Sequence, residues 1–336
     1  MKMKTNFRFY LLTTLTLGLA ALSAQPARQH AASFFEFLAP ETGSTLVLST
    51  DVSALIAEKN RNDYQAGTLT AANGKSFSIE VRPRGKYRRK IAQIPPLKIK
   101  AKKKLLLDEG LDTLNEVKLV LPCYLDGKGD DLVIREYLIY RMFELISPAS
   151  VRARLIDLKL VNTGAGNAPQ YTVKAILLED EEETTARLQG QQIETFGFTM
   201  DSLQTDQAAL TAMFQCMIGN TDWNIAEQRN VRFIRIPSGD VLLVPFDFDF
   251  AGFVNAPYAT PMAGLGLRSV QERYLMAQGL KPEALERAYR ILQGQREAFS
   301  QLCNAPFVPA ATASKLNDYL DSFFRKADKQ GTSFFR

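Results

Sequence analysis

The stretch Met217-Ile-Gly-Asn-Thr-Asp222-Trp-Asn-Ile-Ala-Glu-Gln-Arg-Asn230 leads through Val231-Arg-Phe-Ile-Arg-Ile236, Pro237-Ser-Gly-Asp240 and Val241-Leu-Leu-Val244 into Pro245-Phe-Asp247-Phe-Asp249-Phe-Ala-Gly252. Just ahead of it, Leu210, Met213, Phe214, Met217 and Ile218 recur with a helical period, which predicts a helix over 206–218. Asn220 to Gln228 is a polar loop. Residues 231–236 and 241–246 read as strands joined by the turn at 237–240. If Ile236 pairs with Val241, Asn230 lies opposite Asp247. A loop carboxylate (Asp222), an amide (Asn230) and two more carboxylates (Asp247, Asp249) then meet at one end of one hairpin. Such oxygen ligands suit a hard cation, Mg²⁺ or Mn²⁺. Singly, each residue also suits a loop end or a hairpin exit. The set is what points to a site.

Working outward, residues 82–104 hold eleven Lys or Arg and no acid. Three readings are open: a solvated face, an anionic binding surface, or a cleft that grips phosphate. Lys98 and Lys100 lie two apart in Pro95-Pro-Leu-Lys-Ile-Lys100, so on a strand they share one face and Leu97 and Ile99 share the other. Residues 132–146 read as a helix apolar over much of its surface, and therefore buried. Glu136 on that helix has Ile139, Tyr140 and Phe143 as helical neighbours. A buried carboxylate there wants a cationic partner, and Lys98 or Lys100 is the expected one; a glutamate reaching water is the alternative. Glu179-Asp-Glu-Glu-Glu183 reads as a charged helix start favoured by the dipole. Gly164-Ala-Gly166 lacks the third glycine of a dinucleotide fingerprint and is discarded as one.

The chain has 336 residues and 46% apolar content, enough for one large domain or two lobes. Its start is a basic Met1-Lys-Met-Lys4, an apolar run from Phe9 and small residues ending at Ala24, the pattern of a secretory signal peptide over 1–24. No cysteine lies there, so no lipid anchor is expected, and no later run approaches membrane-spanning length. Cleavage removes Lys2, Lys4 and Arg8, lowering the formal charge from +5 to about +2. A near-neutral secreted or periplasmic protein with no nucleic-acid partner follows. Cys123, Cys216 and Cys303 are too few for a disulfide framework; one pair or three free thiols are both open. The single histidine, His30, sits at the expected mature terminus, which excludes Ser-His-Asp, Cys-His and His-zinc chemistry for the folded body.

Asn73-Gly74 between 68–72 and 76–82 signals a hairpin. Residues 51–62 read as a short helical region, and 116–121 as a strand. Residues 155–160 and 171–178 read as an antiparallel pair, and 281–303 and 309–325 as amphipathic helices. The first half is strand-rich and the second helix-rich with an embedded hairpin. An α+β chain in two lobes, 25–180 and 181–336, is the predicted organisation.

These motifs resemble the CotH-like kinase family. The early resemblance lies in Arg84-Gly85, the lysine-rich Pro95–Lys100 stretch, Arg135-Glu-Tyr-Leu138 and Ala175-Ile-Leu-Leu-Glu179. The later and more specific part is Asn220-Thr-Asp222, Arg229-Asn230 and Pro245-Phe-Asp-Phe-Asp249. The similarity spans roughly residues 76–255. It departs from the family pattern in having Arg229 where a histidine is usual, and in lacking a glycine-rich phosphate loop. The resemblance implies a two-lobed atypical protein-kinase-like fold, with ATP and a divalent metal as cofactors and a protein hydroxyl as acceptor. By resemblance, Asp222 would orient or deprotonate that hydroxyl. Asn230 and Asp247 would hold metal, with Asp249 as a second or alternative ligand. Lys100 or Lys98 would contact phosphates beside Glu136, with Glu179 on the same nucleotide side. Phosphoryl transfer needs mainly this positioning and charge neutralisation.

Three rival readings remain. The same site could transfer the nucleotide moiety. The chain could be a catalytically inactive binding module of the cell envelope. A carboxylate-pair hydrolase using Asp222 and Asp247 is the third, and with Trp223 as the single tryptophan a sugar-binding aromatic cleft has little support.

Overall fold

The computed structural model describes residues 31–164 and 170–331. The expected signal peptide and His30 lie outside these residues. Ten helices and ten strands follow in order: α1 (Phe34–Leu38), β1 (Thr45–Thr50), α2 (Val52–Ala57), β2 (Gln65–Thr70), β3 (Ser76–Pro83), α3 (Arg88–Ile91), β4 (Leu97–Ala101), α4 (Lys103–Asp108), β5 (Glu116–Val120), α5 (Gly127–Ile146), β6 (Ala153–Asn162), β7 (Tyr171–Glu179), α6 (Glu181–Arg187), β8 (Gln191–Ile193), α7 (Thr205–Met217), β9 (Val231–Arg235), β10 (Val241–Pro245), α8 (Pro282–Gly294), α9 (Arg296–Cys303) and α10 (Ala310–Gln330).

The overall class is α+β, as the strand-rich first half and helix-rich second half predict, but the two-lobed kinase-like arrangement is not what forms. Strands β1 to β7 close into a mixed seven-stranded barrel in the order β1-β2-β3-β4-β5-β7-β6. The closing contact is β1, which pairs antiparallel with β2 and parallel with β6. Strand β1 is not among the expected strands, although Thr45-Leu-Val-Leu-Ser-Thr50 alternates as a half-buried strand does, and without it the strands would have two free edges. With it, both edges are consumed. The described residues cluster as one compact unit.

Strand alternation fills the barrel. Leu97, Ile99 and Ala101 of β4 point inward and are buried, while Lys98 and Lys100 share the outer face. Phe77, Ile79 and Val81 of β3, Leu46 and Leu48 of β1, and Leu158 and Leu160 of β6 complete this interior with Phe34 and Phe35 of α1. A second apolar cluster lies between the other face of β5–β7 and the helices. Helix α5 is its centre. It carries buried residues on every side, including Val133, Leu138, Met142 and Phe143, as its all-round apolar surface predicts. Asp126 caps it by accepting from Gly129 N at 2.9 Å.

The second sheet has the order β10-β9-β8. Its hairpin is shifted by one residue from the predicted register. Val241 pairs with Arg235 and Pro245 with Val231, so Asn230 faces Phe246, whose N–H donates to Asn230 O at 3.0 Å. The turn explains the shift. Ile236 N donates to Asp240 O at 3.0 Å, leaving a three-residue loop closed by Gly239 at φ +92°. A glycine in the left-handed region at the third loop position is the normal chemistry of that hairpin. Cys123, Cys216 and Cys303 are all free and buried. No helix among the described residues is long and apolar enough to cross a membrane.

Candidate functional site

Helix α7 delivers the chain to the site. It stops at Gly219, whose φ of +66° turns the backbone away. Asn220 then folds back, its N–H donating to Gln215 O at 2.8 Å and its amide to Gln215 Oε1 at 3.0 Å. Asn220 Oδ1 accepts from Asp222 N at 2.9 Å, fixing the start of the loop. Trp223 is 1% exposed. Burying so large a side chain contributes about 2–3 kcal/mol, which anchors Asp222 from behind.

Across the hairpin, Phe248 sinks into the core and leaves Asp247 and Asp249 to either side of it. Tyr140 of α5 packs edge-on against Phe248 with centroids 4.8 Å apart, and its hydroxyl accepts from Asp247 N at 2.9 Å. Glu136 lies one turn earlier on the same face of α5 and is 2% exposed. Both Asn230 and Asp247 have left-handed backbones, at φ 55° and 61°, a conformation that Asn and Asp adopt more readily than other residues with side chains.

Asp222, Asn230, Asp247 and Asp249 line one cleft of about 470 Å³, together with Arg84, Lys86, Arg88 and Arg229. Asn230 Nδ2 donates to Asp222 O at 2.6 Å and to Asp222 Oδ2 at 2.9 Å. That commits the amide nitrogen and makes the amide oxygen the atom available to a cation. Arg229 approaches Asp222 Oδ1 only to 3.7 Å. Burial raises the Asp222 carboxyl above its usual value, with Arg229 opposing and Asp249 adding to the rise. For Asp247, burial and then the Asp249 carboxylate push the pKa up to about 7. Its side chain still presents 45% of its surface to the cleft opening.

The partner of Glu136 is neither Lys98 nor Lys100. Lys98 Nζ pairs with Glu116 Oε2 at 2.6 Å and Asp180 Oδ2 at 3.2 Å, and Lys100 Nζ with Glu116 Oε1 at 3.4 Å. Cross-strand pairing between β4 and β5 places Glu116 opposite Lys100 and within reach of Lys98. Neither lysine lines the cleft. Arg88 takes the place expected of them. Its Nη2 donates to Glu136 Oε2 at 2.5 Å and Nε to Asp249 Oδ2 at 2.7 Å, while Nη2 lies 3.5 Å from Asp247 Oδ1. Burial alone would lower its pKa, but Asp249 and Glu136 hold it firmly charged. Arg88 stood inside the basic run, and nothing in spacing singled it out from its ten basic neighbours.

Glu179 is fully buried and does not line the main cleft; it borders the small cavity beside it that Asp247 also lines, and Arg152 Nε and Arg187 Nη2 each reach it at 2.7 Å. Burial would raise its pKa, yet Arg187 and Arg152 bring it below the usual value. Behind the cleft, Lys118 and Arg232 converge on Glu181, with Arg232 Nη2 at 2.8 Å from it. Burial and the nearby Arg232 lower Lys118 to about 8. Arg84, Lys118 and Arg232, with Phe246 and Asp247, border a small cavity beside the main cleft. Lys118 is on β5 of the barrel, Arg232 on β9 of the second sheet and Arg84 just after β3, so only the tertiary fold brings them together.

A divalent ion is the group the donor set implies. Among the described residues, no three His, Cys, Asp or Glu side chains form a ready cation cage. Mg²⁺ does not need one, because it is usually held by one or two carboxylates plus substrate phosphates. The Asp247 carboxylate, raised to about 7, is under-compensated by Arg88, and Glu136 Oε1 is buried without a hydrogen-bond partner. Asp247 and the Asn230 amide oxygen, with Asp249 on the same cleft, are the donors that could hold one such ion. In comparisons with known proteins, no family model and no curated protein matches this chain.

Proposed function

We propose that this chain is an exported phosphotransferase that uses ATP and a divalent ion to modify a hydroxyl of a protein substrate. The observation that carries this reading is the shared cleft: Asp222, Asn230, Asp247 and Asp249 face it together with the cations Arg84, Lys86 and Arg229. Acids opposite arginine and lysine suit a ligand that is itself a metal-bound polyanion. The resemblance of residues 220–249 to CotH-like kinases supports the same chemistry, and the apolar segment before Ala24 supports export.

In this reading Asp222 receives the acceptor hydroxyl and takes up its proton. Its raised pKa favours that exchange, and Asn230 holds its carboxylate oriented through the 2.9 Å bond. Arg84, Lys86 and Arg229 meet the phosphates. Tyr140 fixes the backbone of Asp247, and so aims that carboxylate. A bound cation would supply charge neutralisation on the phosphate oxygens.

A second reading, a binding module without transfer activity, is favoured by one feature: Arg88 already neutralises part of the acid cluster. Calorimetry of the mature chain with ATP, with and without Mg²⁺ or Mn²⁺, separates the two. Metal-dependent nucleotide binding at millimolar concentration or tighter is expected. Its absence would leave the binding-module reading in possession.

A further inference from the structure

In the acid cluster, one cation position is already filled by a side chain of the fold. Arg88 reaches Asp249 and Glu136 through two different nitrogens at 2.7 and 2.5 Å, and comes within 3.5 Å of Asp247. Both short contacts are charge-assisted hydrogen bonds, the strong kind. A guanidinium cannot give up its proton in a protein, so this charge is permanent.

Arg88 is built in rather than folded over from the surface. Its side chain is 9% exposed. The segment that carries it is tied on both flanks. Tyr87 packs edge-on against Phe250 at 5.2 Å and beside Tyr258 at 5.9 Å. Arg89 donates to Asn62 Oδ1 at 2.9 Å and to the carbonyls of Lys59 and Arg61, and Lys59 Nζ donates back to Lys90 O at 2.9 Å.

We propose that Arg88 is a resident cation of the site, standing where a two-ion phosphoryl-transfer centre would hold its second divalent ion, so that the cleft takes up one divalent ion and not two. This rests on the phosphotransferase reading above. Two-ion centres place their cations about 3.5–4 Å apart between shared carboxylates, and here the guanidinium spans those carboxylates itself. The formal charge agrees. Among the groups in direct contact, Glu136, Asp247 and Asp249 against Arg88 leave a formal −2, the charge that one divalent ion cancels. Unlike a second metal, Arg88 stays when products leave. It acts on the ion site by holding Asp249 and Glu136, and is in that sense a positioning residue.

The test counts ions rather than turnover. The mature chain is saturated with a non-hydrolysable ATP analogue and titrated with Mn²⁺, bound metal being read by electron paramagnetic resonance against a nucleotide-only control. One Mn²⁺ per chain is expected for the wild type and for Arg88→Lys, and two for Arg88→Ala. Two ions in the wild type would overturn the inference while leaving the phosphotransferase reading intact. None would remove both. One ion in wild type and in folded Arg88→Ala alike would also overturn it, since Arg88 would then not be what excludes the second. If Arg88→Ala fails to fold, Arg88→Gln takes its place, with the same two-ion expectation.

Discussion

Replacing Asp247 with asparagine removes one charge from the cleft at nearly constant volume, and the structure sets the size of the effect. Burial, and then the Asp249 carboxylate, raise the Asp247 carboxyl from 3.8 to about 7. A raised carboxyl pKa means that the fold prefers the protonated form. The ionised group therefore costs stability, nothing below the unfolded value and progressively more as pH rises toward the folded one. The interval from 3.8 to about 7, at about 1.36 kcal/mol per pH unit, sets a ceiling of about 4 kcal/mol. With 45% of the side chain facing solvent, screening reduces this to about 1–2 kcal/mol. Asp247→Asn should recover that amount near pH 8 and almost none near pH 4. Asparagine also suits φ 61° better than aspartate, but that gain is the same at every pH. Urea unfolding of both proteins at the two pH values reads the difference. Equal gains at both would refute the idea that the Asp247 charge is what the fold resists. The same variant should lose metal-dependent nucleotide stabilisation in calorimetry.

Asp222→Asn should keep nucleotide binding and lose transfer to a protein acceptor, as measured by calorimetry and by label incorporation; loss of binding as well would move Asp222 to the nucleotide side. Lys98→Ala should leave nucleotide affinity unchanged, because Lys98 is held by Glu116 and Asp180 outside the cleft; a tenfold weaker affinity would return it to the site. Glu179→Gln strands Arg152 and Arg187 without their buried carboxylate, so a loss of about 3–5 kcal/mol is expected in denaturant unfolding. Arg152 also pairs with Glu36 and Glu183, and Arg187 donates to the carbonyls of Pro148 and Ser150; a loss below about 1 kcal/mol would show that these satisfy the two arginines unaided.

Much of the local structure could be read without coordinates. Helices α5 and α7 follow from apolar residues at helical spacing. The β2–β3 hairpin follows from Asn73-Gly74, and the two faces of β4 from alternation. The grouping of Asp222, Asn230, Asp247 and Asp249 on one cleft was legible because all four flank one short hairpin, where chain connectivity limits how far apart they can lie. The hairpin register differs by one residue from the expectation because Gly239 in the left-handed region gives a three-residue loop, and a shift of one raises no conflict in the pattern when successive residues such as Phe233 and Ile234, or Leu243 and Val244, put apolar side chains on both faces.

What only the tertiary structure decided is long in range. The barrel closes through β1 lying parallel to β6, a pairing more than a hundred residues apart in sequence. No local pattern encodes a strand's neighbour, and for that reason the two-lobed expectation failed while the α+β class survived. The cation beside Glu136 was decided in the same way. Eleven basic residues in one run have the same charge and similar reach. Which of them enters a buried acid cluster depends on where α3 is pinned, and that is set by Tyr87 against Phe250 and Arg89 against the chain after α2. The sequence by itself determined which chemical groups were present and which sat near one another along the chain. Packing decided which opposite charges met, because desolvation makes each buried charge take the nearest partner that the closed barrel leaves within hydrogen-bond reach.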